Sequence, residues 1–100
     1  MEIRKDTISF GPFSGSGPRN SNKDVTFPGP VTKASAVLTG FVVEFSGGED
    51  HEFGKLDVFL DTALLGGSVV RVTARFGLRD WSDNWDDSYD GRVDFAVIAE

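Results

Sequence analysis

Between Leu78 and Gly91 the chain collects both of its Trp residues, its only Tyr and five Asp residues: Asp80, Asp83, Asp86, Asp87 and Asp90. Side chains of these types in one short stretch suit two kinds of chemistry. Flat aromatic faces stack on the C–H faces of a sugar ring, while carboxylates and guanidinium groups hydrogen-bond its hydroxyls, the mixture that a small polar ligand requires. Arg79, Asp80, Trp81, Trp85 and Tyr89 are the candidate residues for such a site, with the aromatics as platforms and the charged pair as hydroxyl partners. Alternatively, Asp83, Asp86, Asp87 and Asp90 offer the hard oxygen ligands that Ca2+ prefers, although their spacing is not that of an EF-hand loop. A third reading is a solvated hairpin loop, in which the two Trp cap the end of the domain and the Asp side chains stabilise turns.

Other chemistry finds less support. His51, the only His, lies in the acidic run Gly47-Gly48-Glu49-Asp50-His51-Glu52, without the second His of a zincin helix, and reads as a solvated loop residue. No Gly-x-Ser-x-Gly elbow and no Cys supply a nucleophile, and a chain of 100 residues has little depth in which to enclose a substrate and raise one carboxyl pKa for glycoside hydrolysis. We therefore expect no enzyme. The stretch Gly11-Pro12-Phe13-Ser14-Gly15-Ser16-Gly17-Pro18 lacks the Gly-Lys-Ser/Thr of a phosphate loop.

The elements that must position these residues follow from period-two alternation, the mark of strands with one buried face. Val70, Val72, Ala74, Phe76 and Leu78 alternate with Arg71, Thr73 and Arg75, and Leu56, Val58 and Leu60 alternate with Asp57, Phe59 and Asp61. Phe41, Val43 and Phe45 close a strand that begins near Ala34. Val93, Phe95, Val97 and Ala99 alternate with Asp94, Ala96 and Ile98, so both faces are largely apolar and the strand is expected to be central or at an oligomer interface. Thr7–Phe10 and Asp24–Phe27 are shorter candidates, which brings the expected total to six strands. Asp61–Leu65, stopped by Gly66-Gly67, reads as a connection or a single turn, and residues 11–30 read as an irregular arm rich in Gly and Pro. Arg71, Arg75 and Arg92 are expected to pair across strands with Asp57, Asp61 or Asp94. The fold class is an all-β, six-stranded antiparallel sandwich, expected to occupy residues 1–100 as one domain.

Charge narrows the partners. Ten Lys and Arg against 16 Asp and Glu give −6, which repels phosphate backbones and argues against nucleic acid. The imbalance is local: residues 1–33 carry five basic and three acidic groups (+2), and residues 34–100 five and thirteen (−8). No apolar run reaches the roughly 18 residues of a membrane span, and Met1–Asp6 lacks the apolar stretch of a signal peptide, so a soluble chain with no membrane insertion is expected and the compartment stays open.

In order along the chain, Val25-Thr26-Phe27, Pro30-Val31, Leu38-Thr39-Gly40-Phe41, Leu56-Asp57-Val58, Val70-Arg71-Val72-Thr73-Ala74, an aromatic loop and a closing apolar strand resemble the H-type lectin domain. The resemblance covers about three-quarters of the chain. It implies a six-stranded antiparallel sandwich, a homotrimer or higher assembly, and binding of galactosamine-type sugars near protomer boundaries. Where that family's closing strand carries a Trp this chain has Phe95, and the Asp80–Asp90 loop is longer and more acidic. The expected function is a non-enzymatic, multivalent carbohydrate-binding module. The alternatives are a structural or assembly module, whose arm, Phe13 and Phe95 make subunit contacts, and a Ca2+-dependent adhesion module.

Overall fold

The computed structural model describes residues 1–13, 17–46, 53–81, 85 and 88–100. Six strands form two three-stranded antiparallel sheets that pack as a sandwich, 47 × 18 × 18 Å in extent. The strands are β1 (Glu2–Phe13), β2 (Arg19–Thr26), β3 (Ala34–Phe45), β4 (Phe53–Leu64), β5 (Val69–Asp80) and β6 (Tyr89–Ala99). One sheet has the order β1-β6-β3 and the other β2-β5-β4.

The two strands with the strongest apolar patterns take the two central positions. Val70, Val72, Ala74 and Phe76 of β5, and Tyr89, Val93, Phe95 and Val97 of β6, are fully buried. Central strands are flanked by a neighbour on each side, so their inward side chains escape water, and β6 is also apolar on its outer face through Ala96 and Ile98. The expectation that Val93–Ala99 would be central is therefore met. Phe10 and Phe76 stack across the sandwich with centroids 4.6 Å apart and planes at 12°, and Tyr89 tilts against Phe76 at 5.8 Å. Such pairs add about 0.5–1.5 kcal/mol beyond the area they bury.

The strands run longer than alternation alone indicated. Thr7–Phe10 is the middle of a 12-residue β1, and β2 begins at Arg19, inside the segment expected to be irregular. Pairing explains both, since β1 is in register with β6 from Glu2↔Ala99 to Phe10↔Gly91, and β2 with β5 from Arg19↔Phe76 to Thr26↔Val69. Backbone hydrogen bonds to an apolar neighbour hold residues of low strand propensity extended. Asp61–Leu64 likewise belongs to β4, and the turn into β5 is made by Gly66 and Gly67, whose φ values of 98° and 59° suit Gly. Among the described residues this hairpin is the one place where strands consecutive in sequence pair; every other connection passes from one sheet to the other.

The two open flanks of the sandwich differ. Where β1 faces β2, inward positions are charged: Lys23 donates from Nζ to Asp6 Oδ1 at 2.8 Å and to the Thr7 carbonyl at 3.3 Å, an ion pair that ties the two sheets together. Where β3 faces β4, Leu38 and Phe41 stay exposed beside a register shift between Leu38 and Gly40. The Lys23 hydrogen bond holds the Asp6 carboxyl below the usual carboxylate range, against the opposing effect of partial burial and with help from the Thr7 N–H.

A pH dependence follows from that ion pair. An unfolded Asp titrates near about 3.9, and because the folded carboxyl is more acidic its stabilisation is complete above that pH and disappears as pH falls through the folded pKa. With side chains 46% and 33% exposed, the pair contributes less than about 1 kcal/mol. Urea midpoints of wild type and Lys23→Ala are expected to differ at about pH 6 and to draw together as the pH is lowered below about 3.9 and the folded Asp6 takes up its proton. A gap that persists in acid would assign the effect of Lys23 to packing.

Expected ion pairs are present with altered partners. Arg75 Nε donates to Asp57 at 2.9 Å across β4 and β5 as anticipated. Arg71 instead pairs with Asp24, its register partner on β2, at 2.8 Å, because its register partner on β4 is the uncharged Ala63, and Arg92 reaches Asp94 two residues along its own strand at 3.3 Å.

Candidate functional site

The Asp80–Asp90 segment joins β5 in one sheet to β6 in the other. It is thus a crossover between sheets, and the hairpin considered for it is not formed. The reason is that β6 pairs with β1 and β3, which leaves no ladder between β5 and β6. The crossover lies at the pole where β1 ends and β2 begins.

At this pole the two Trp residues occupy different environments. Trp81, just beyond β5, is 69% exposed. Trp85 is partly buried and packs against the core, tilted on Tyr89 with centroids 6.3 Å apart. Glycines make its seat: a Cβ on Gly77 would come within 2.9 Å of the Trp85 ring and of Pro18 Cβ, and one on Gly17 within 2.5 Å of the same indole. Gly77 stands where the alternation of β5 requires an outward side chain, between Arg75 and Arg79, so its missing side chain opens the outer face of the sheet to Trp85.

Tyr89 is fully buried, and its hydroxyl donates to the Phe76 carbonyl at 3.3 Å. It therefore supports the site from beneath and offers no surface to a ligand in this conformation. Arg79 is half-buried, with its guanidinium 5.8 Å from the Trp85 ring centroid and a hydrogen bond from Nη1 to the Asp80 carbonyl at 3.4 Å. Asp80, also half-buried, ends β5 opposite Phe53. Arg79, Asp80, Trp81 and Trp85 thus share one pole.

Sequence reasoning treated Arg19 only as a charge. In the structure its guanidinium lies 4.4 Å from the Tyr89 centroid and 5.5 Å from that of Phe10, and donates to the carbonyls of Tyr89 at 2.7 Å and Gly11 at 2.8 Å. It clamps β1, β2 and β6 together under the crossover. Cation–π contacts of this kind are worth about 0.5–2 kcal/mol. A legible signal existed for Gly77, a glycine interrupting the polar face of a strand; none existed for Arg19.

Of the four Asp residues considered for Ca2+, Asp83, Asp86 and Asp87 lie outside the described residues, as does His51. Asp90 accepts a hydrogen bond from Ser46 Oγ at 3.1 Å, which links the start of β6 to the end of β3. Among the described residues no three His, Cys, Asp or Glu side chains gather as a metal site. A cavity of about 350 Å³ sits at the opposite pole, between Phe27, Pro28, Pro30, Val31 and Ala99.

Compared with protein-family models, with curated proteins and with solved structures, the chain matches none.

Proposed function

We propose that this protein is a non-enzymatic carbohydrate-binding module that displays its site multivalently by self-association. The observation that carries this reading is the 69% exposed indole of Trp81 beside the polar groups of Arg79 and Asp80, on a pole stiffened by Trp85, Tyr89 and Arg19. A flat exposed ring next to directional hydrogen-bonding groups binds a sugar by stacking and hydroxyl recognition, and a rigid support lowers the ordering cost. The resemblance to H-type lectins favours a galactosamine-type sugar and a trimer. Apolar side chains on both faces of the edge strand β3, Leu38 and Phe41 at the flank beside β4 and Val37 and Val42 on the outer face, are all more than 40% exposed and offer surface through which copies associate. Association in turn raises weak single-site affinity to avidity.

The same exposed strand favours the second reading, a structural or assembly module whose contacts are its function. A glycan array, run with and without Ca2+ on a sample whose oligomeric state is measured by light scattering, separates the two. Selective binding of terminal galactosamine-type sugars is expected, with affinity falling about tenfold or more in Trp81→Ala while the thermal midpoint and oligomer are retained. An oligomer silent on the array selects the assembly reading. A Ca2+-dependent rise in thermal midpoint that disappears in Asp86→Asn/Asp87→Asn would support the cation site.

A further inference from the structure

We infer that the outer face of the β2-β5-β4 sheet extends the Trp81 pole into a binding strip for an oligosaccharide chain, with Phe59 and Arg75 as its second subsite; this rests on the carbohydrate reading above. Strand register sets Phe59 beside Arg75 and Arg75 beside Asn20, all on the outer face, because Ala74 and Phe76 on either side of Arg75 point into the core. The Phe59 ring is 51% exposed and is surrounded on this face by the polar Asp57, Asp61 and Arg75. Arg75 is held in place twice, by Asp57 at 2.9 Å and over the Phe59 ring at 4.8 Å from its centroid. Ring, guanidinium and carboxylate thus form one preorganised unit that offers an apolar face, donors and an acceptor, the groups that one pyranose engages.

Continuity with the pole comes from Gly77. Same-face residues along a strand are about 6.8 Å apart. Trp85, seated on Gly77, therefore stands one row from Arg75 and Phe59. The next row, Asn22 and Thr73, continues the polar surface. Charge favours this face as well. Lys55, Arg71, Arg75 and Arg79 against Asp24, Asp57 and Asp61 give it +1, and the rest of a chain of net −6 then carries −7. A hydroxyl-rich chain, neutral or with acidic substituents, meets no repulsion here. The outer face of the opposite sheet mixes apolar Ile3, Val37 and Ile98 with Lys5, Thr7, Arg92 and Asp94 and, among the described residues, carries no ring.

The test is a length series on the full chain, with N-acetylgalactosamine and a linear tetrasaccharide ending in N-acetylgalactosamine as probes in calorimetry. The tetrasaccharide is expected to bind about tenfold more tightly, and Phe59→Ala to remove that advantage while leaving monosaccharide affinity and thermal midpoint within about twofold and a few degrees of wild type. Amide resonances of Asn20, Thr73 and Arg75 should shift with the tetrasaccharide alone, whereas Trp81→Ala should weaken both probes. Equal affinity for the two lengths, or a Phe59→Ala variant that leaves the tetrasaccharide unchanged or weakens both probes alike, overturns the strip and leaves the pole reading standing. Failure of both probes, and of every glycan on the array, overturns the carbohydrate reading and the strip together.

Discussion

Phe76→Ala is expected to cost about 3–5 kcal/mol of unfolding free energy, the range for truncating a fully buried aromatic residue. Phe76 lies at the middle of the core, stacked on Phe10 at 4.6 Å and tilted on Tyr89 at 5.8 Å, with no exposed surface. Its removal leaves a cavity bounded by both sheets, and backbone pairing on β5 and β6 limits the collapse that would refill it. Domains of this size hold about 5–15 kcal/mol in total, so the variant approaches the limit of folding and its thermal midpoint drops by more than roughly 10 °C. Urea and thermal unfolding measure this directly. A loss under about 1.5 kcal/mol would mean that the two sheets close on each other when the ring is removed. The site should suffer as well, because the Phe76 ring packs against Tyr89, and Tyr89 supports Trp85.

Gly91→Ala is the second large effect and has a different physical origin, too much volume at a residue whose φ of 157° is one that L side chains rarely adopt. A Cβ at position 91 would run into the Val42 carbonyl oxygen on β3 and come within 2.9 Å of the Phe76 ring. Gly91 sits in the central strand β6, paired on one side with Phe10 and on the other with Val43, so neither neighbour moves without breaking its own ladder. Overpacking of this kind typically costs about 1–3 kcal/mol and more where backbone must shift. We expect at least about 3 kcal/mol here, since the obstruction is a carbonyl in a sheet. Gly11→Ala is the matched control: a Cβ there meets nothing, and stability should stay within about 0.5 kcal/mol of wild type. Similar losses at the two positions would show that generic glycine freedom, not the close approach of β3 and the positive φ of Gly91, sets the cost at position 91.

Much of the architecture was legible because it is local. Alternation in Val70–Leu78 reports the pleat of one strand, whose successive side chains point to opposite faces whatever it pairs with. The two apolar faces of Val93–Ala99 announced a central strand for the same reason. The Arg19–Thr26 strand was less visible, since Arg19, Ser21 and Lys23 take inward positions that alternation reserves for apolar residues. They are accommodated at a flank of the sandwich, where Arg19 lies on aromatic rings and Lys23 reaches Asp6. Those partners are far away in sequence.

The candidate site divides along the same line. Composition located the aromatic and acidic segment and its flanking strands, but it could not separate Trp81 from Trp85, or Tyr89 from either. Their exposure depends on Gly17 and Gly77, brought together by the pairing of β2 with β5, and on Phe76 beneath Tyr89. Phe59 was visible as an outward residue among Asp57 and Asp61, yet only the β4–β5 register sets it beside Arg75. By itself, then, the sequence determined the all-β class, the central strands and the segment that carries the aromatic residues, because periodicity and composition are properties of contiguous chain. Tertiary structure decided that this segment crosses between sheets, which Trp faces solvent and which charges find partners, because these follow from strand pairing and packing between residues that sequence spacing does not relate.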